Sequence, residues 1–194
     1  PTHLSCYQLT LEPNTAFAAR PPELPESDVC ANMQEAIEDR LAAAGFTHYE
    51  TSAFAQPGRQ CRHNLNYWTF GDYLGIGAGA HGKLTQHDRV LRQMRWKQPK
   101  QYLAKVSEAQ PVHEEFSVGA ADLPFEFMMN ALRLNQGFDE ALFVMRTSLP
   151  LIGIESTLRQ AELDGLLERQ AGRIAPTERG RHYLNRLLER FIAG

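Results

Sequence analysis

The sequence predicts an α/β chain that turns mainly helical in its last third, where a winged-helix-like layout closes it. Two observations carry this. Apolar residues recur with period two at several places before the segment 111–118, and the period lengthens to about 3.6 from Ala120 onward. A hairpin pattern at residues 166–176 then separates the last helix from those before it. With 194 residues, 43% of them hydrophobic, the chain can build one large core or two small ones. A formal charge of −3 supplies no general attraction for nucleic acid or an anionic membrane. Apolar runs stay well short of the roughly 20 residues of a membrane span, and no basic start followed by an apolar block suggests a signal peptide. A cytoplasmic setting without a membrane span is expected. Cys6, Cys30 and Cys61 are too scattered for a disulfide framework or a CxxC-type metal site, and read as reduced thiols.

The chain starts at Pro1 and enters a strand-like run almost at once, as a piece of a longer polypeptide would. Residues 3–11 alternate and are rich in strand formers, and Glu12-Pro13-Asn14 ends them in a turn. A proline-rich connection over 19–25 leads to a helix with Ser27 or Asp28 as N-cap. Val29, Met33, Ile37 and Leu41 form its stripe, and Gly45 stops it. Residues 46–54 read as a second strand. Strand, helix, strand is the unit of a parallel sheet, and a single unit completes neither a barrel nor a doubly wound sheet.

Residues 61–82 concentrate the informative side chains. Cys61 to Trp68 packs a histidine, two amides and two large aromatics together, which suits a flat, partly apolar ligand with an atom to coordinate. A packed, hydrogen-bonded histidine is the structural alternative. Beyond it, Leu74, Ile76, Ala78 and Ala80 alternate with Gly75, Gly77 and Gly79. As a strand, this would have one apolar face and one of bare backbone, open to a cofactor or another segment. The glycines could equally mark a bulge, since their spacing matches neither GxGxxG nor a P-loop.

Residues 89–96 suit a short strand and 99–109 a helix carrying Tyr102, Leu103 and Val106. Lys83, Arg89, Arg92, Arg95, Lys97 and Lys100 make this the most basic region, either a solvated face or a site for carboxylate or phosphate. Residues 111–118 read as a linker. Leu123, Phe125, Phe127, Met128 and Leu132 then form an apolar helix closed by Gly137. Residues 138–145 and 154–163 give two more helices. The hairpin turns at Ala171-Gly172, Thr177 caps the final helix, and Tyr183, Leu184, Leu187, Leu188 and Phe191 point inward. This layout suggests DNA binding. From Leu151 to the end, however, seven Arg face six Asp plus Glu, and a DNA reader needs a basic stripe, so a packing or lid module is favoured.

His63-Asn64-Leu65-Asn66-Tyr67-Trp68 fits an HNxxYW motif, and the sequence resembles the HemW family of radical-SAM haem chaperones, long grouped with oxygen-independent coproporphyrinogen III oxidases. Tyr7-Gln8-Leu9-Thr10, Glu12-Pro13-Asn14-Thr15, Tyr49-Glu50-Thr51-Ser52-Ala53, Gly75 to Gly82 and the C-terminal helices share the resemblance. It implies that residues 1–110 are the distal part of a radical-SAM partial TIM barrel, 111–118 a linker and 119–194 a winged-helix-like domain. Such proteins carry a CxxxCxxC motif for a 4Fe-4S cluster, and that triplet does not occur in this sequence. This chain is therefore expected neither to assemble the cluster nor to cleave S-adenosylmethionine.

The resemblance also assigns roles. His63 would give an imidazole nitrogen to haem iron, with His81 as the rival ligand. Tyr67 and Trp68 would offer flat apolar area, and Asn64 would orient the imidazole or a propionate. Gly75, Gly77 and Gly79 would leave room for S-adenosylmethionine. The function implied is a haem chaperone serving haem-acceptor proteins. A coproporphyrinogen III oxidase and a winged-helix interaction module are the alternatives. Open strand edges would allow a homodimer.

Overall fold

Thr51 and Ser52 decide the first sheet. The computed structural model describes residues 1–192 and divides into two units, Pro1–Cys61 and the chain from Arg62 on. In the first unit, the strand expected over 46–54 folds back on itself as β2 (Thr47–Glu50) and β3 (Ala53–Ala55), with the Ser52 N–H donating to the Glu50 side chain at 3.3 Å. β1 (His3–Ser5) lies on the other side of β3. The order is β1-β3-β2, and both pairings are antiparallel. The parallel unit read from the sequence is thus corrected: the turn at Thr51-Ser52 contains neither Gly nor Pro, so period two runs through it unmarked. The expected first strand also stops at Ser5, because β3 offers only three residues to pair with. Past it Tyr7 and Leu9 are exposed.

Between these strands lie α1 (Ala16–Ala19), capped by Thr15 accepting the Ala18 N–H at 3.2 Å, and α2 (Ser27–Ala43). The N-cap of α2 is Glu26 rather than Ser27 or Asp28. Its end is as predicted: Gly45 adopts φ +78 just past it. The predicted stripe is only half used, since Ile37 and Leu41 are partly covered while Val29 and Met33 are exposed.

The second unit opens with α3 (Arg62–Trp68). An antiparallel meander follows, with β4 (His81–Thr85), β5 (Val90–Arg95), α4 (Pro99–Ser107) and β6 (Val112–Ser117) in sheet order β4-β5-β6. Two expectations fail in this region. Residues 74–80 are not a strand, and Leu74 and Ile76 are 68% and 84% exposed, so no core covers the presumed apolar face. The segment 111–118, expected as a linker, is strand β6. It is an edge strand whose exposed Glu114 and Glu115 give a loop-like composition, while its backbone pairs with β5 from Leu91↔Ser117 to Arg95↔Val112.

The helical part follows the predicted order. It comprises α5 (Leu123–Ala131), β7 (Phe138–Asp139), α6 (Glu140–Thr147), a 3-10 turn (Leu151–Ile154), α7 (Glu155–Leu163), β8 (Leu167–Gln170), β9 (Arg173–Pro176), α8 (Glu178–His182) and α9 (Leu184–Glu189). The hairpin turns where expected. Ala171 and Gly172 both have positive φ, as a type I′ turn requires. Phe138 pairs with Ile174, which delays the helix expected from 138 and gives the sheet order β7-β9-β8. Thr177 caps α8, accepting the Gly180 N–H at 3.0 Å. The final helix breaks at Tyr183 (φ −109, ψ 36), and that ring is 54% exposed instead of inward. Leu187, Leu188 and Phe191 are buried as expected. Phe127, fully buried, centres the core with edge-to-face rings at 5.7 Å (Phe70), 5.0 Å (Phe138) and 5.2 Å (Phe143).

Candidate functional site

Helix α3 sorts the HNxxYW residues onto two neighbouring faces, because residues four apart stack along a helix. His63 and Tyr67 share one. His63 is exposed, meets Tyr67 edge to face at 4.7 Å, and makes no side-chain hydrogen bond among the described residues. Tyr67 in turn lies 4.5 Å from Tyr73, which extends the row to three rings. Tyr73 is held from behind: its hydroxyl accepts from Arg92 at 3.0 Å, and Arg92 pairs with Glu126 of α5. Burial raises the Tyr73 pKa, with Arg92 pulling the other way, so the phenol stays neutral near pH 7.

Asn64 and Trp68 share the second face. Both are half-buried, and Asn64 makes no side-chain hydrogen bond among the described residues. The indole Nε1 of Trp68 is buried and has no hydrogen-bond partner among the described residues. The Arg133 guanidinium lies 5.2 Å from the centre of its ring.

The remaining asparagine of the motif shapes the chain instead. Asn66 Nδ2 donates to the Asp72 carbonyl at 2.9 Å, and its own carbonyl accepts the Gly71 N–H at 2.7 Å. A Cβ on Gly71 would fall 2.7 Å from the Asn66 backbone carbonyl oxygen, so any larger residue would force the backbone to shift. Phe70, between them, takes φ +52, an uncommon conformation for a bulky residue, and drops its ring into the core. The exit of α3 is therefore fixed by its own sequence.

Under this exit lies a polar knot that the sequence did not disclose. Lys83, 1% exposed, donates at 2.9 Å to the Phe70 carbonyl, to Asp72 Oδ1 and to Thr85 Oγ1, with its ammonium 4.1 Å from the centre of the Phe70 ring. Burial lowers the Lys83 pKa against the pull of Asp72. For Asp72, burial acts to raise the pKa, but hydrogen bonds from Thr85 and Lys83 outweigh it and hold the carboxyl below its ordinary range. The basic region is accordingly not one solvated face. Lys83 is buried, Arg92 is paired, and Arg95 donates to the Gly75 carbonyl at 2.9 Å.

The three glycines have separate reasons. A Cβ on Gly75 would come 2.3 Å from the His81 carbonyl, so that glycine allows two backbones to touch. Gly77 (φ +109) and Gly79 (φ +72) have positive φ. Gly77 has nothing within 4 Å of an added Cβ, and its N–H donates to the Tyr102 hydroxyl at 3.1 Å. His81, the other candidate ligand, stands exposed at the start of β4, and no ring contact joins it to His63 among the described residues. The structure thus gathers His63 with Tyr67 and Asn64 with Trp68. Sequence reasoning missed Tyr73, Glu126 and Arg133, and placed Arg92 only within the basic region. Of the missed residues, Tyr73, an aromatic six residues past Tyr67, gave the one signal. Cys6, Cys30 and Cys61 are free thiols, and no group of three or more His, Cys, Asp or Glu suited to a metal ion occurs among the described residues. No single described helix is long and apolar enough to cross a membrane.

The profile of the HemN C-terminal domain matches residues 119–183. Over 194 residues the chain is 45% identical to the heme chaperone HemW of Escherichia coli (strain K12), covering 100% of this chain and 50% of that protein. It is 44% identical over 193 residues to the heme chaperone HemW of Haemophilus influenzae, covering 99% and 49%. With the protein of that name from Mycobacterium tuberculosis (strain H37Rv) it shares 38% over 188 residues, covering 92% and 44%. The chain thus spans about half the length of the curated relatives it matches. Among solved structures it superposes, with a TM-score of 0.69 and 19% identity, on one described as coproporphyrinogen III oxidase (HemN) from Escherichia coli, a radical SAM enzyme. The match covers 98% of this chain and 48% of that one. At that identity the likeness is one of fold: this chain has a HemN-like mixed helix and sheet architecture.

Proposed function

This chain belongs to the HemW family, and on that premise we propose that it is the haem-binding part of a haem chaperone that hands haem to acceptor proteins. The observation that carries the proposal is the His63 imidazole, exposed, free of hydrogen bonds among the described residues, and braced edge to face by Tyr67 on a helix whose exit is locked. An imidazole nitrogen is a common protein donor to haem iron. The residues fit the group. His63 would supply a nitrogen donor, Tyr67 and Trp68 apolar area, and Asn64, with no side-chain hydrogen bond among the described residues, a hydrogen bond to imidazole or propionate. His81 is the rival donor. Haem, when bound, would supply a Lewis-acid iron, and this chain's residues would orient the imidazole toward it.

The rest of the proposal concerns the longer protein. There, β1 and β2, which run in the same direction on either side of β3, are the strands available to continue a radical-SAM partial barrel over 1–110. Residues 119–194 form the winged-helix-like domain, and 111–118 connects them as a strand. A 4Fe-4S cluster would need a CxxxCxxC motif, which these 194 residues lack. S-adenosylmethionine would approach the loop of Gly75, Gly77 and Gly79, where Gly77 leaves open backbone. The setting would be cytoplasmic, and two copies could pair through an exposed edge such as β6.

The oxidase alternative is the weaker reading, because relatives called chaperones share up to 45% identity and the oxidase only 19%. Titrating haemin into the wild type and His63→Ala tests the proposal. The wild type should give a Soret shift with saturable binding, and His63→Ala an altered spectrum with affinity lower by roughly tenfold or more. Identical spectra and affinities would remove His63 from the site and leave His81 to be tested.

A further inference from the structure

Beside the His63 face lie two donor groups, one unpaired and one only partly used among the described residues. The Trp68 indole Nε1 carries a hydrogen that can only be donated, and it is buried without an acceptor among the described residues. Buried polar groups are nearly always paired, so an orphan of this kind calls for an explanation. Arg133, at the end of α5, uses only its Nε, which donates to the Met129 carbonyl at 3.1 Å. Its terminal guanidinium nitrogens make no hydrogen bond or ion pair among the described residues, although the group lies 5.2 Å from the Trp68 ring centre. The carboxylates nearest in this network are already committed, Glu126 to Arg92 and Asp72 to Lys83 and Thr85. Donors without acceptors, one of them a planar cation, define what is missing: an anion with two oxygens, able to take a guanidinium N–H on one and the indole N–H on the other.

We infer that Trp68 Nε1 and Arg133 form a carboxylate-binding subsite, which on the haem reading receives one propionate of the porphyrin. The two faces of α3 then divide the work. His63 and Tyr67 address the iron and the ring, and Trp68 with Arg133 addresses the acidic edge. Arg133 belongs to the helical part of the chain, which thereby contributes directly to the site. Charge favours a carboxylate on this face over phosphate, since a single guanidinium and one neutral N–H match a monoanion better than a dianion.

Haemin and haemin dimethyl ester separate this subsite from the haem reading itself, because esterification removes the carboxylate charge and leaves iron and ring intact. The wild type should bind haemin roughly ten- to a hundredfold tighter than the ester, the range expected for hydrogen bonds to a charged group. Arg133→Gln should abolish that preference by weakening haemin alone, and Arg133→Lys, which keeps the charge without the fork, should restore part of it. In nuclear magnetic resonance spectra, metal-free protoporphyrin IX should move the Trp68 indole N–H resonance and its dimethyl ester should not. Equal affinity of the wild type for haemin and ester, or equal weakening of both by Arg133→Gln, would overturn the subsite while leaving the haem reading standing. Failure of the wild type to bind haemin, the ester or protoporphyrin IX would overturn both.

Discussion

Replacing Lys83 by methionine tests the polar knot beneath the candidate site. Methionine keeps the buried stem and removes the ammonium, which is 1% exposed and donates to three acceptors at 2.9 Å. The losses are uneven. The carbonyl of Phe70, itself 1% exposed, is left without this donor at a cost of about 1–3 kcal/mol. The contact of the ammonium with the Phe70 ring, 4.1 Å away, adds about 1–2 kcal/mol. Asp72 is 38% exposed and keeps the Thr85 hydroxyl at 2.7 Å, so its carboxylate turns to water at little cost. Relief from burying an ammonium offsets much of the sum, and the net loss should be about 1–2 kcal/mol. Asp72→Asn does the reverse, leaving the ammonium buried without its counter-charge, and should cost about 3 kcal/mol or more. Trp68 and Trp96 both lie in the second unit, so urea unfolding followed by tryptophan fluorescence reports the relevant part of the chain. A larger loss for Lys83→Met than for Asp72→Asn would refute the argument. Alkaline pH gives an independent check. The Lys83 pKa is lower in the folded chain than its ordinary value of 10.5, so between the two the unfolded chain binds more protons and stability rises with pH. The wild type should show that rise, and Lys83→Met should lack it.

Two further outcomes follow from local geometry. Gly137→Ala would place a Cβ 1.9 Å from the Ile174 carbonyl at φ +65, and should cost about 3 kcal/mol or more by urea unfolding, or prevent folding. Gly172→Ala, at φ +78 with nothing within 4 Å, should cost only about 1 kcal/mol, so equal losses would show that strain in φ rather than the clash governs both sites. At acid pH, the hydrogen bond from Arg169, opposed by burial, holds Glu155 below its ordinary value of 4.5. A depressed carboxyl stabilises above its unfolded pKa and loses that contribution as pH falls through the folded one. Thermal melts from pH 5 downward should therefore fall more steeply for the wild type than for Arg169→Gln, and parallel curves would contradict the assignment.

The helical part was legible because each signal there is local. Gly137 needs a positive φ, Ala171-Gly172 sits between alternating residues, and Thr177 precedes a helical run. Each acts within a few residues of itself. The errors share the opposite cause. Whether 46–54 is one strand or two depends on where β1 finds its partner, and β6 is a strand only because β5 lies beside it. The glycine-rich run failed in the same way. Its alternation suits a strand, but Gly75 serves a close approach to His81 and the apolar residues between the glycines stay in water.

For the candidate site, the residue order marked His63, Asn64, Tyr67 and Trp68 as candidates, and resemblance attached a family to them. A helical repeat then sorts them into faces by arithmetic. What no reading along the chain supplies is the company they keep: Tyr73 against Tyr67, Arg92 and Glu126 behind Tyr73, Arg133 over Trp68, and Lys83 under the exit of the helix. These partners stand 6 to 65 positions away in the sequence. Short-range periodicity carries no information about such pairs, because their energy arises from desolvation and contact that exist only once the chain has closed around them.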